Sequence, residues 1–227
     1  MTMIDEHLCH VRTRIAQACV QCGRPPHAVR LLAVSKTFGT DAIRQAHSAG
    51  QLAFGENYIQ EAVEKITALA DLALEWHCIG PIQSNKTRLV AEHFDWVHTI
   101  DRLKIAQRLS EQRPAHLPPL QLCIQVNVDG GDNKSGVAPA DALALARSVA
   151  ALPHVRLRGV MSIPEPAIDF IAACAVFARA RAVFDALNAD GLGLDTLSMG
   201  MSADMEAAIH EGSTMVRVGT AIFGGRS

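Results

Sequence analysis

The run Leu31-Leu32-Ala33-Val34-Ser35-Lys36-Thr37-Phe38-Gly39-Thr40 decides how this chain folds. Its leading apolar residues do not alternate with polar ones, so the segment reads as a strand covered on both faces, as in a parallel sheet. The turn after the strand separates two parallel architectures. A doubly wound dinucleotide fold carries Gly-x-Gly-x-x-Gly after its first strand. No such turn is present here, which favours a closed barrel and leaves the doubly wound sheet as the alternative.

Similar short apolar runs recur along the chain. Strands are expected at Leu31–Ser35, Gln51–Phe54, Leu74–Ile79, Trp96–His98, Gln121–Val128, Arg156–Ile163, Thr196–Ser198 and Met215–Val218. Helical patterns separate them. Between Asn57 and Ala70 the apolar positions Ile59, Ala62, Val63, Ile66 and Leu69 follow helical spacing. Thr40, Ser84 and Ser202 are N-cap candidates. The alternation implies an α/β chain folded as a single (β/α)8 barrel of the TIM type over residues 1–227, with an extra N-terminal helix over Met3–Cys22. The Pro-rich stretch Arg113–Pro119 reads as a loop, because the alternation resumes directly after it.

Composition narrows the function classes. Of 227 residues, 49% are hydrophobic and 19% charged, which supplies a core and gives no sign of disorder. The net charge of −2, with scattered basic residues, argues against a nucleic-acid partner. No apolar run is long enough to span a bilayer, and the N-terminus lacks the order of a signal peptide, so a cytoplasmic protein with reduced thiols is expected. Cys19 and Cys22 form a lone Cys-x-x-Cys at the end of a helical pattern, whereas a thioredoxin-type pair follows a strand. His7, Cys9 and His10 upstream lack the tight paired spacing of a zinc cluster. Cys78, Cys123 and Cys174 read as small core residues.

In a barrel, chemistry gathers where strands end and βα loops begin. Those positions carry Ser35-Lys36, Gly55-Glu56-Asn57, His77, Gly80, His98-Thr99, Asn127, Met161-Ser162, Ser198-Met199-Gly200 and Arg217-Val218-Gly219-Thr220. A lysine closing a buried strand sits in a low dielectric that disfavours the ammonium and leaves part of it as a nucleophilic amine, able to form a Schiff base with an aldehyde. The last two βα loops, Ser198–Ser202 and Gly219–Gly224, are rich in small residues that let backbone N–H groups approach an anion. Lysine opposite such loops suggests pyridoxal 5'-phosphate (PLP) as ligand. Arg217 on the last strand suits an unprotonated pyridine nitrogen, which weakens the cofactor as an electron sink. His77 and His98 read as hydrogen-bonded core histidines, and Gly130–Gly136 as a flexible loop able to act as a lid, with Lys134 solvated.

The ordered motifs AVSKT, FGENYIQEA, WHCIGPIQSNK, HTID, VN…KSG, RGVM, LSMGMSADMEAAI and VRVGTAIFGGR together resemble the pyridoxal phosphate homeostasis protein family, from about Leu31 to Arg226. The fold of that family is similar to the barrel domain of alanine racemase without its second domain. The resemblance implies a PLP-binding protein of vitamin B6 homeostasis with Lys36 carrying the cofactor as an internal aldimine. It further implies Ser202, Gly219 and Thr220 on the phosphate, Gly200 shaping the loop, Arg217 facing the pyridine nitrogen, Asn57 near the ring and Met199 packed against it. Two departures are visible: the loop reads DGGDN where a glutamate is expected, and Phe38 stands where some relatives have lysine. A monomeric carrier that delivers PLP to apo-enzymes without robust catalysis is expected, with no metal, nucleic acid or membrane partner. A PLP-dependent amino-acid racemase is the alternative. It needs a second base, which two-domain racemases take as tyrosine from the other domain; here only Tyr58, His77 or His98 offers one.

Overall fold

A computed structural model describes residues 2–130 and 135–225. Helices and strands alternate as α1 (Met3–Gln21), β1 (Arg30–Val34), α2 (Thr40–Ser48), β2 (Ala53–Glu56), α3 (Ile59–Ala68), β3 (Glu75–Cys78), α4 (Thr87–His93), β4 (Trp96–Ile100), α5 (Leu103–Gln112), β5 (Leu120–Gln125), α6 (Ala142–Ala150), β6 (Val155–Met161), α7 (Phe170–Ala189), β7 (Thr196–Ser198), α8 (Met205–His210), β8 (Met215–Val218) and α9 (Thr220–Phe223). The strands form one closed parallel barrel in sequence order. It closes where Arg30 to Ala33 pair in register with Met215 to Val218. The (β/α)8 barrel with an added N-terminal helix is the observed architecture.

Alternation along each strand builds two cores. In β1, Leu31 and Ala33 join the large cluster between strands and helices, whereas Leu32 and Val34 point inward with Ala53, Ile79 and Met215. Trp96, Cys123 and Met161 form a second inner cluster. Covering both faces explains why these strands read as unbroken apolar runs. Gly159 has no room for a side chain, since a Cβ there would sit 1.6 Å from the Thr196 carbonyl oxygen.

The second strand lies later than its sequence suggested. Gln51 is buried outside β2, and its amide donates to the carbonyls of Leu31 and Ala53, both at 2.9 Å. All three N-cap expectations also shift: Ser84 is the first residue of a short 3-10 helix, Ser84–Lys86, and Gln83 precedes it. Gly39 precedes the first residue of α2, Thr40, and Asp204 rather than Ser202 precedes α8. Among the described residues, no helix is long and apolar enough to cross a membrane.

Helix α1 packs on α8, α9 and α2. His7 Nδ1 donates to the Ile222 carbonyl at 2.9 Å. Arg14 binds Glu206 Oε1 at 2.9 Å and the Ser202 carbonyl at 3.3 Å. Arg24 donates to the Ile209 and Ser213 carbonyls at 2.7 Å each. The helix and the turn that follows it thus strap the segments around β7 and β8 from outside.

Candidate functional site at the C-terminal rim

Lys36 stands in the turn after β1, half-buried rather than enclosed at the strand end. Inward Val34 and outward Ser35 make Lys36 the next inward position at the barrel mouth. Its Nζ has no hydrogen-bond or ion-pair partner among the described residues. The turn is braced from behind. Thr37 takes a left-handed conformation with φ 69°, unusual for a β-branched residue, and its N–H donates to Glu61 Oε1 at 2.9 Å.

A second lysine, Lys65 on α3, organises that brace. It is buried and contacts Glu56 Oε1 at 2.8 Å, Glu61 Oε1 at 2.6 Å and the Ser35 carbonyl at 2.9 Å. Ser35 Oγ also donates to Glu56 Oε1, at 2.6 Å. Burial pushes the Glu56 carboxyl upward, with Lys65 and Ser35 opposing it. Burial also pushes Glu61 up, but Lys65 and the Thr37 N–H outweigh it and hold Glu61 below the usual range. Two lysines thus differ sharply: Lys65 is saturated with acceptors, and Lys36 is left as the available amine. Sequence reasoning missed Lys65 and Glu61. The signal was a lysine three residues after Ala62 and four before Leu69, on the buried stripe of the helix, behind the acid Glu56.

The loops after β7 and β8 lie beside this turn. The Arg217 backbone N–H donates to the Gly200 carbonyl at 3.0 Å, tying the loop after β7 to strand β8. Gly200 has φ +95°, and a Cβ there would meet that of Ala208 at 2.5 Å, so glycine is required. Gly219 abuts β1, where a Cβ would lie 3.1 Å from the Val34 carbonyl oxygen. Phe38 stacks on Phe223 of α9 with centroids 5.1 Å apart, bringing the Lys36 turn to the β8 loop. The hydroxyls of half-buried Ser202 and exposed Thr220 have no partner among the described residues. At the start of α9 the N–H groups of Thr220 and Ala221 have no acceptor among the described residues, whereas those of Ile222 and Phe223 donate to the Gly219 carbonyl at 2.9 and 3.0 Å.

Met199 is placed differently from the expectation that it packs against a bound ring. It is fully buried in the cluster between strands and helices, because inward Ser198 sends its neighbour outward. It fills space behind Gly200 instead.

Arg217 is buried and fixed by two bonds, Nη1 to Ser198 Oγ at 2.8 Å and Nη2 to the Ser162 carbonyl at 3.0 Å. Burial lowers its pKa to about 10, which leaves it a cation at neutral pH. Two buried atoms just beyond strand ends on opposite sides of the barrel, Asn57 Oδ1 after β2 and Ser162 Oγ after β6, have no partner among the described residues. The rim therefore combines an unpartnered lysine, small-residue loops with open N–H groups, a fixed cation and unpartnered polar atoms. Those are the requirements of a phosphorylated pyridine aldehyde, so the residues fit PLP.

His77 and His98 are fully buried inside the barrel and neutral, each held below its ordinary pKa chiefly by burial. They are core histidines, as read from the sequence. Residues 131–134 of the Gly130–Gly136 loop, Lys134 included, lie outside the described residues. All six cysteines are free; Cys174 is half-buried on the outer helix layer rather than in the core, with Sγ 3.9 Å from His210 Nδ1.

The sequence model of the family described as "Alanine racemase, N-terminal domain" matches residues 7–227. The chain is 61% identical to the pyridoxal phosphate homeostasis protein of Pseudomonas aeruginosa over 226 residues, covering 100% of this chain and 97% of that protein. It is 54% identical over 229 residues to the protein of the same name from Escherichia coli K12, covering 100% and 98%. The structure of PipY from Synechococcus elongatus with PLP bound superposes with a TM-score of 0.85 at 39% identity, covering 97% of this chain and 100% of that one.

Proposed function

The chain belongs to the alanine racemase N-terminal domain family, among its pyridoxal phosphate homeostasis proteins, and from that footing we propose that it holds PLP on Lys36 and hands it on without turning over a substrate. The observation that carries this reading is the contrast between the partnerless amine of Lys36 and the saturated Lys65 one layer behind it.

When bound, PLP supplies an aldehyde that condenses reversibly with an amine. The chain's own residues do the rest. Lys36 offers the amine on a turn fixed by Glu61. Ser202 and Thr220 offer hydroxyls, and Gly219 with the start of α9 offers N–H groups, to a phosphate. Arg217 offers a remaining N–H to the pyridine nitrogen and, as a cation, disfavours a proton there. Asn57 supplies its unpartnered carbonyl beside the ring.

Two features support a carrier over a racemase. His77 and His98 have no exposed surface, and both nitrogens of each ring are already engaged. Tyr58 is 55% exposed just before α3, with nothing among the described residues enclosing it over the rim. A monomer is the natural state of this reading, because a closed barrel offers no sheet edge to a partner strand. Six free cysteines suit the reducing cytoplasm, where apo-enzymes that need PLP would receive it.

Borohydride reduction of the PLP-loaded protein, followed by peptide mapping, tests the assignment. The cofactor mass is expected on the peptide carrying Lys36. Its appearance on Lys65, or nowhere, would remove the central assignment.

A further inference from the structure

Five polar side chains run in line through the barrel from one rim to the other. Arg217 Nη1 donates to Ser198 Oγ at 2.8 Å, and Ser198 Oγ lies 2.9 Å from His98 Nδ1. His98 Nε2 lies 2.8 Å from His77 Nδ1, and His77 Nε2 lies 2.5 Å from Glu75 Oε1. Glu75 also pairs with Arg30 at 2.8 Å, in a bowl at the opposite rim lined by Arg30, Trp96 and Arg158 among others.

Donor and acceptor chemistry fixes the direction of this line. An ionised carboxylate only accepts, so His77 Nε2 carries the proton facing Glu75. A neutral imidazole has one N–H, so His77 Nδ1 accepts and His98 Nε2 donates to it. His98 Nδ1 then accepts from the Ser198 hydroxyl, whose oxygen accepts from Arg217. One arrangement of protons satisfies every member. The reverse arrangement needs His98 Nδ1 to donate to Ser198 and leaves the serine proton without an acceptor among the described residues. It also needs a buried imidazolium at His77, beside Arg30 and stacked on Trp96 at 5.2 Å.

We propose that Glu75 sets this orientation from the far rim, and that His77, His98 and Ser198 are positioning residues that keep a serine lone pair aimed at Arg217. The orientation matters because Ser198 is one of only two side-chain or carbonyl anchors on the guanidinium among the described residues. Turning its proton around replaces attraction with repulsion at Nη1 and loosens the cation. The consequence for ligand recognition rests on the reading that Arg217 faces the pyridine nitrogen; the orientation of the line does not.

Nitrogen NMR of histidine-labelled protein, first without PLP, tests both parts. His77 and His98 are expected as single Nε2–H tautomers at neutral pH. Glu75→Ala should release both from a fixed tautomer. It should also weaken PLP about tenfold, while leaving unchanged the affinity for the analogue with CH in place of the ring nitrogen. Ser198→Ala should retain both tautomers, because Glu75 still sets them, and yet show the same selective loss. An Nδ1–H tautomer or an imidazolium at either histidine of the unmodified chain overturns the relay. So do unaltered tautomers in Glu75→Ala, or equal loss of PLP and its analogue in Ser198→Ala. Should the unmodified chain bind neither ligand, the PLP reading fails, and the histidine spectra still decide the relay.

Discussion

Glu61 accepts the backbone N–H of Thr37 at 2.9 Å, so a carboxylate on α3 holds the left-handed residue next to Lys36. A β-branched residue at φ 69° is strained by roughly 1–3 kcal/mol, and the brace is what sustains it. Sequence order hides this, because the acid lies in the next βα unit. Under the proposed role of Lys36, strain held in the next residue is a device for aiming its side chain.

Thr37→Gly should therefore raise the thermal midpoint by relieving the strain while lowering PLP retention by loosening the turn. Glu61→Ala should lower both, by about 1–2 kcal/mol in stability. Thermal unfolding beside a gel-filtration retention assay separates the two variants. If both move stability the same way, the turn is not strained.

Ser202→Ala and Thr220→Ala should each weaken PLP binding by ~1–3 kcal/mol, the cost of a lost hydrogen bond to a charged group. Pyridoxal without the phosphate should be insensitive to either change. Titration of both ligands into each variant checks this, and parallel losses would put the phosphate elsewhere.

Acid stability should carry the signature of Glu75. Burial pushes its carboxyl up, but the His77 hydrogen bond and the Arg30 ion pair reverse this and bring it from 4.5 down to about 2. The unfolded chain then binds the extra proton in that window, so the contribution is present above pH 4.5 and is lost as pH falls toward 2. Urea unfolding at pH 5, 4 and 3 should show the loss, and Glu75→Gln should flatten that limb. An equally steep limb in the variant would assign the acid sensitivity to other groups.

Exchange of the Cα proton of alanine or serine in heavy water should stay far below ordinary turnover, ~1 per second or faster, and should not invert the centre. On its proposed placement Arg217 disfavours ring protonation, and no second base with a free nitrogen or hydroxyl is enclosed beside Lys36 among the described residues. Chiral chromatography after long incubation checks this. Racemisation within the enzyme range would revive the alternative and direct attention to Tyr58.

Eight strands were legible because burial on both faces leaves unbroken apolar runs; β2 slipped because buried Gln51 satisfies its amide through carbonyls and so resembles a strand residue. The rim residues were legible as strand ends, since the barrel topology alone collects them. Lys65 was not, because a count of apolar positions passes over a lysine buried by two carboxylates. Met199 was misplaced because neighbours in a motif point to opposite faces of a strand. The partners of His98 were hidden by distance, Ser198 being 100 residues away. Such pairings exist only once the barrel closes.

That closure has a consequence for synthesis. Strand β1 pairs with β8, and α1 reaches Ile222 across 215 residues of sequence. Contacts of such separation make folding slow, and the first strand keeps an unpaired edge while the ribosome makes the rest. Lys36 emerges early, whereas Arg217, Gly219 and Thr220 emerge near the end. If the proposed placement of the cofactor holds, its pocket cannot assemble before the eighth strand has docked, and until then Lys36 stands without the groups proposed to face it.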